Sequence, residues 1–134
     1  MAFKVMMGGS NFPDLVPTLF ACAAFHNRKI KIEGIAHLKH KESDRIAVLS
    51  TELRKAGFEI QQNDEDSWLG APVATDILNE PHFDAQHDHR MAMSFSLFSL
   101  KFNNVRISGA ESVNKSFPDY WKTLSNLGFH FEIT

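Results

Sequence analysis

At 134 residues, with 43% apolar and 22% charged side chains, the chain is long enough to bury one core and needs no covalent staple. A formal net charge of -2 excludes a global pull toward nucleic acid or an anionic membrane and leaves room only for local cation clusters. The single cysteine, Cys22, excludes an internal disulfide and fits a reducing, cytoplasmic setting, and no apolar run reaches the roughly 18 residues that span a bilayer.

Residues 1–10, ending in Gly8-Gly9-Ser10, read as a leader and are set apart from a folded unit over 11–134. Asp14 to Phe25 is an apolar run after Pro13, which suits a first helical turn, with Cys22 inside it as a buried, inert thiol. Lys29 to Ile35 alternates and ends near Gly34, as a strand does. Ser43 to Ala56 is the best helix, with Ile46, Leu49 and Leu53 on one face, Ser43 as its cap and Gly57 as its stop. Phe58 to Gln62 predicts a strand, Asn63 to Ser67 a polar turn, and Trp68 to Val73 a short strand. Thr75 to Gln86 is loop with room for one more strand.

A second round follows. Asp88 caps a helix to Leu100 whose Met91, Phe95 and Phe98 share a face. Val105 and Ile107 lie on a strand that leads to Gly109. Phe117 to Leu127 predicts a helix with Tyr120, Leu124 and Leu127 inward, and Phe129, Phe131 and Ile133 a last strand. Residues 14–34 align with 89–109 at a constant offset, Ile30-Lys31-Ile32-Glu33-Gly34 falling on Val105-Arg106-Ile107-Ser108-Gly109. After a short gap, Leu53, Gly57 and Phe58 fall on Leu124, Gly128 and Phe129. The chain therefore reads as an α+β duplication, with repeat one at about 11–80 and repeat two at about 85–134. Two copies leave an apolar face that a further copy would cover, so self-association is expected.

Three clusters carry chemistry. In His37-Leu38-Lys39-His40-Lys41-Glu42-Ser43-Asp44-Arg45, Lys41 and Arg45 are four apart, close enough to point one way at a helix start, where free N–H groups also favour anions. Glu42 among them suits a proton carrier. A solvated charged turn with an ordinary cap is the plainer reading of the same residues. His87-Asp88-His89-Arg90 puts a second cation at a helix start. His82, His87, Asp88 and His89 raise a zinc site, but no histidine pair stands four apart and no cysteine is near, so no metal is expected. Lys115, before Phe117-Pro118, would singly be a surface lysine. With the other two it completes three helix starts that each bear a cation, a pattern suited to a phosphate or carboxylate ligand. His40 and His130 read as surface residues.

The runs Lys41-Glu42-Ser43-Asp44-Arg45, Asp88-His89-Arg90-Met91-Ala92-Met93 and Lys115-Ser116-Phe117-Pro118 together resemble the 5-enolpyruvylshikimate-3-phosphate synthase family in wording, order and spacing. Pro13-Asp14-Leu15-Val16-Pro17-Thr18-Leu19 looks like that family's preceding helix, so the resemblance covers about 11–134. It implies transfer of the carboxyvinyl group of phosphoenolpyruvate to the 5-hydroxyl of shikimate 3-phosphate with release of phosphate, and no cofactor. It implies Glu42 as proton donor and acceptor at the methylene carbon, and Lys41 at the shikimate hydroxyl. Arg45, Arg90 and Lys115 would grip phosphoenolpyruvate, His89 would support that grip, and His37 would lie near shikimate 3-phosphate. Glyphosate would occupy the phosphoenolpyruvate site.

The implied fold is the enolpyruvyl transferase fold, two domains of three helix–strand repeats each, and the duplication matches two of the three repeats of the C-terminal domain. Two departures bear on activity. The family's catalytic Asp, five residues before the Pro of Pro-Asp-Leu, falls on Gly8. The N-terminal domain that holds the phosphate of shikimate 3-phosphate is outside this sequence, so the isolated chain is expected to be inactive. The alternative is a stand-alone, non-catalytic module of the same fold that binds an anionic metabolite or a partner chain. The related enolpyruvyl transferase of cell-wall synthesis fits the motifs less well.

Overall fold

The computed structural model describes residues 13–25, 30–64, 67–72, 80–100, 102 and 104–130. The expected leader, and the strand positions Phe131 and Ile133, lie outside them. A 3-10 turn at Pro13–Leu15 leads into α1 (Val16–Phe25), and Val16 and Phe20 are buried. Cys22, expected inside, is exposed, because it lies on the face of α1 opposite the core set by Phe20 and Ala21. Strand β1 (Ile30–Glu33) follows, then a 3-10 turn at Ala36–His40. Helix α2 (Arg45–Lys55) buries Ile46, Leu49 and Leu53, the face that the spacing predicts. Its cap is Asp44 and not Ser43: the Asp44 side chain accepts from the N–H of Ala47, because one residue's shift in the start hands the cap to the next acceptor.

β2 (Phe58–Asp64) and β3 (Ser67–Pro72) run antiparallel, and β3 lies between β1 and β2 in a three-stranded sheet. The predicted polar turn is therefore shorter than expected, since strand pairing continues to Asp64 opposite Ser67. A short β4 (His82–Asp84) pairs in parallel with β5 (Arg106–Ser108), Phe83 opposite Ile107. Between them lie α3 (His89–Ser96) and a 3-10 turn at Leu97–Leu100. After β5 come a 3-10 turn at Ala110–Lys115 and α4 (Tyr120–Asn126).

Gly34 and Gly109 each close a strand with φ of 75°, a left-handed conformation that glycine adopts without steric cost. At Gly109 a Cβ would also stand 3.2 Å from the backbone nitrogen of His87, so this position is doubly restricted.

The core joins both halves. Phe83 stacks on Phe95 with centroids 4.7 Å apart and lies 5.1 Å from Phe98, which in turn meets Phe58 at 5.5 Å. Buried Glu52 of α2 accepts the N–H of Asp84 at 2.8 Å and pairs with Lys55, tying α2 to β4. Thr18 of α1 meets Ser94 of α3 at 3.4 Å. α4 departs from expectation: it has no buried residue, and Leu127, expected inward, is 70% exposed. Tyr120 and Trp121 alone pack it against the core, Tyr120 through a 2.6 Å hydrogen bond with Ser96 and Trp121 by donating to the carbonyl of Ala110. No described helix is long and apolar enough to cross a membrane.

Candidate functional site

The packing of α2 beside β4 and α3 brings two helix starts together. The turn that delivers α3 is tight: Gln86 and His87 both have positive φ, at 51° and 57°, conformations uncommon for residues with a Cβ. Asp84 secures it by accepting the backbone N–H and the side-chain amide of Gln86, both at 2.9 Å. The Asp88 N–H then donates to the carbonyl of Ala85, and the Asp88 carboxylate turns inward, fully buried.

Asp88 has two roles there. It caps α3, accepting the N–H of Arg90 at 2.9 Å. It also receives Arg45 Nε at 2.9 Å, Arg45 Nη2 at 3.3 Å and the Ser43 hydroxyl at 2.7 Å. Arg45 is 1% exposed and spends its remaining donors on Glu42 Oε2 at 2.9 Å and Asp14 Oδ1 at 3.1 Å. Burial by itself opposes both charges, but the paired geometry outweighs it: the Asp88 carboxyl is held below the usual carboxylate range and the Arg45 guanidinium above its ordinary value. Arg90, 40% exposed, reaches the other oxygen of Asp14 at 3.5 Å. Asp14 thus bridges the two arginines from the start of α1.

The expected site residues divide. Glu42, Arg45 and Arg90 belong to this network, and His89 adjoins it, 8% exposed with Nδ1 buried and without a hydrogen-bond partner. Lys41 and Lys115 are exposed outside it. Lys41 does not share a face with Arg45 as the four-residue spacing suggests, because α2 begins only at Arg45. His37 is half-buried in its 3-10 turn, with Nε2 buried and unpartnered. Ser43, Asp88 and Asp14 stand inside the quoted motifs but were given no place in the network: Ser43 was read as a cap, Asp88 as a cap and a discarded metal ligand, and Asp14 carried no signal for a charged contact.

Glu42, Asp88 and His89 each place a ligand atom within 4.8 Å of the others. They do not fit a metal, because Asp88 is already saturated by Arg45, Ser43 and the Arg90 N–H, and the adjacent guanidinium repels a cation. His82 and His87 point elsewhere, to Ser108 at 2.7 Å and Glu111 at 3.5 Å.

Comparison with known proteins identifies the family. Residues 5–124 match the family described as EPSP synthase (3-phosphoshikimate 1-carboxyvinyltransferase). The chain is 37% identical over 126 residues to the 3-phosphoshikimate 1-carboxyvinyltransferase of Rhizobium etli strain CIAT 652, covering 92% of this chain and 30% of that protein. It is 43% identical over 118 residues to the enzyme of that name from Methanoregula boonei, covering 88% of this chain and 27% of that one. An EPSP synthase structure from Acinetobacter baumannii superposes with a TM-score of 0.76 at 30% identity, over 93% of this chain and 30% of that chain. The chain thus spans about 30% of the length of the relatives it matches. With the family match extending over 5–124 of its 134 residues, the chain belongs to the EPSP synthase family.

Proposed function

We propose that this chain supplies the phosphoenolpyruvate-binding part of a 3-phosphoshikimate 1-carboxyvinyltransferase, and that it comprises two of the three helix–strand repeats of that enzyme's C-terminal domain. The observation that carries the site reading is the meeting of Arg45, Arg90 and Glu42 in one network between the starts of α2 and α3. The repeat reading is supported by the element order, in which helix, strand, left-handed glycine, 3-10 turn and helix occur twice.

In this reading the hydroxyl oxygen of shikimate 3-phosphate bonds to the enol carbon of phosphoenolpyruvate as its O–H bond breaks, and that proton, passed on with the help of Lys41, ends on the departing phosphate. Glu42 gives its proton to the methylene carbon, making a methyl group and a tetrahedral intermediate. Glu42 then takes a proton back from that methyl as the C–O bond to phosphate breaks, which restores the vinyl group and frees phosphate. Arg45 holds Glu42 through a charged hydrogen bond, so the acid is oriented before substrate arrives. Arg90, the more exposed guanidinium, grips phosphate or carboxylate oxygens bidentately, Lys115 closes in from the rim as a point charge, and Lys41 contacts the shikimate hydroxyl. Buried His89 backs Arg90 from the first turn of α3, and His37 faces shikimate 3-phosphate. An N-terminal domain completes the cleft and excludes water, so the chain alone is inactive. The exposed Leu100, Phe117 and Leu127 belong to faces that the rest of the enzyme covers, and they favour self-association at high concentration, which light scattering checks.

The test is phosphate release with both substrates. The chain alone is expected to show none above background, whereas co-expression with the complementary part of the Rhizobium etli enzyme restores turnover, and Glu42→Gln abolishes it. Restored turnover that survives Glu42→Gln would refute the role of Glu42. A fast rate from the chain alone would refute the half-site reading.

A further inference from the structure

Helix α2 grips the segment 84–88 at both ends. At the helix start Arg45 binds the Asp88 carboxylate, and about two turns further on Glu52 accepts the N–H of Asp84 at 2.8 Å. Glu52 is 4% exposed, on the buried side of α2 with Ile46, Leu49 and Leu53, where a carboxylate is costly to hold without partners. The same oxygen, Oε2, meets the Lys55 ammonium at 2.7 Å. The backbone donor it takes is one that β5 does not serve: the Ala85 N–H goes to the carbonyl of Ser108, and the Asp84 N–H faces the other way, toward α2. Between the two grips stand Gln86 and His87, both at positive φ, which residues with a Cβ seldom hold unless their surroundings impose it. Directly after the second grip come His89 and Arg90, in the first turn of α3.

We propose that Glu52 is a positioning residue for Arg90: by holding Asp84 it fixes where the left-handed turn starts, and so where α3 begins and its arginine stands. This rests on the reading of Arg90 as an oxyanion-binding group. Glu52 touches no ligand and acts through the backbone of residues 84–88. With Asp84 released, β4 keeps only its pairing with β5 on the far edge. Gln86 and His87 then relax toward ordinary conformations, and the first turn of α3 moves with them. A merely structural Glu52 would act otherwise: its loss would lower stability and leave the affinity of the folded chain unchanged.

Calorimetric titration of phosphoenolpyruvate into the chain, at a temperature where circular dichroism shows each variant folded, separates these roles. Glu52→Leu fills the space but offers no acceptor, and is expected to bind about tenfold more weakly. Glu52→Gln keeps an oxygen for the Asp84 N–H and is expected to bind within about twofold of the parent chain. Ile46→Val thins the packing of the same helix without touching Glu52 or Asp84, and its affinity should also stay within about twofold. Should Glu52→Leu not fold, Glu52→Asp takes its place, withdrawing the oxygen by one methylene, with a loss of about threefold expected. Parent-like binding by Glu52→Leu, or by Glu52→Asp in its place, overturns the proposal. An equal loss in Glu52→Gln or Ile46→Val overturns it too, and all of these leave the oxyanion reading of Arg90 intact. No binding by the parent chain overturns that reading and the proposal with it.

Discussion

The helix starts at Asp44-Arg45 and at Asp88-His89-Arg90 each join an aspartate cap to a nearby arginine, yet Arg45 is 1% exposed and Arg90 40%. The caps differ in the same sense: Asp44 is exposed and serves only its own helix, whereas Asp88 is buried and also binds Arg45 across 43 residues of sequence. The difference teaches that equal local motifs take on separate work once they are packed together. The first arginine is buried among Asp88, Glu42 and Asp14, and the second keeps part of its guanidinium open to solvent.

Asp88→Ala should break the comparison most severely. It strands a buried guanidinium and uncaps α3, and a loss of about 3–5 kcal/mol in urea denaturation is expected. Acid should act on the same pair. The folded-state pKa of Asp88 lies below its ordinary value, so its contribution is fully present above about pH 4 and is lost as pH falls through the depressed value. Denaturation midpoints followed downward from neutral pH should therefore fall, and in Asp88→Asn this component of the fall should be missing. Arg45→Lys, which cannot bridge Asp88, Asp14 and Glu42 at once, should cost about 2 kcal/mol by the same method. Asp44→Ala removes a cap alone and should cost about 1 kcal/mol in thermal unfolding. Arg90→Ala sharpens the contrast from the other side. Its stability should stay within about 0.5 kcal/mol of the parent chain, while binding of phosphoenolpyruvate, read by calorimetry, disappears.

Much of this was legible in the sequence because it is local. The spacing of Ile46, Leu49 and Leu53 gave the buried face of α2, and Asp88 announced a cap through its place before an amphipathic run. What was hidden is long-range. Nothing near Asp88 signals that its carboxylate faces Arg45, because that contact exists only after β4 and α2 pack through Glu52 and Asp84. Asp14 was read only as the first residue of the α1 run for the same reason. Cys22 and Leu127 failed the other way: an apolar neighbourhood and a helical period say which residues could be inside, but the placement of the neighbouring elements decides which are. The family motifs pointed to Arg45 and Arg90 as equals, since a motif records identity and spacing and carries no burial.

A crystal structure of the chain with phosphoenolpyruvate bound tests most directly whether one arginine holds and the other grips. The expected result is a phosphate or carboxylate oxygen on the Arg90 guanidinium, with the Arg45–Asp88 and Arg45–Glu42 hydrogen bonds unbroken. A ligand that draws Arg45 away from Asp88, or that settles without touching Arg90, would contradict it.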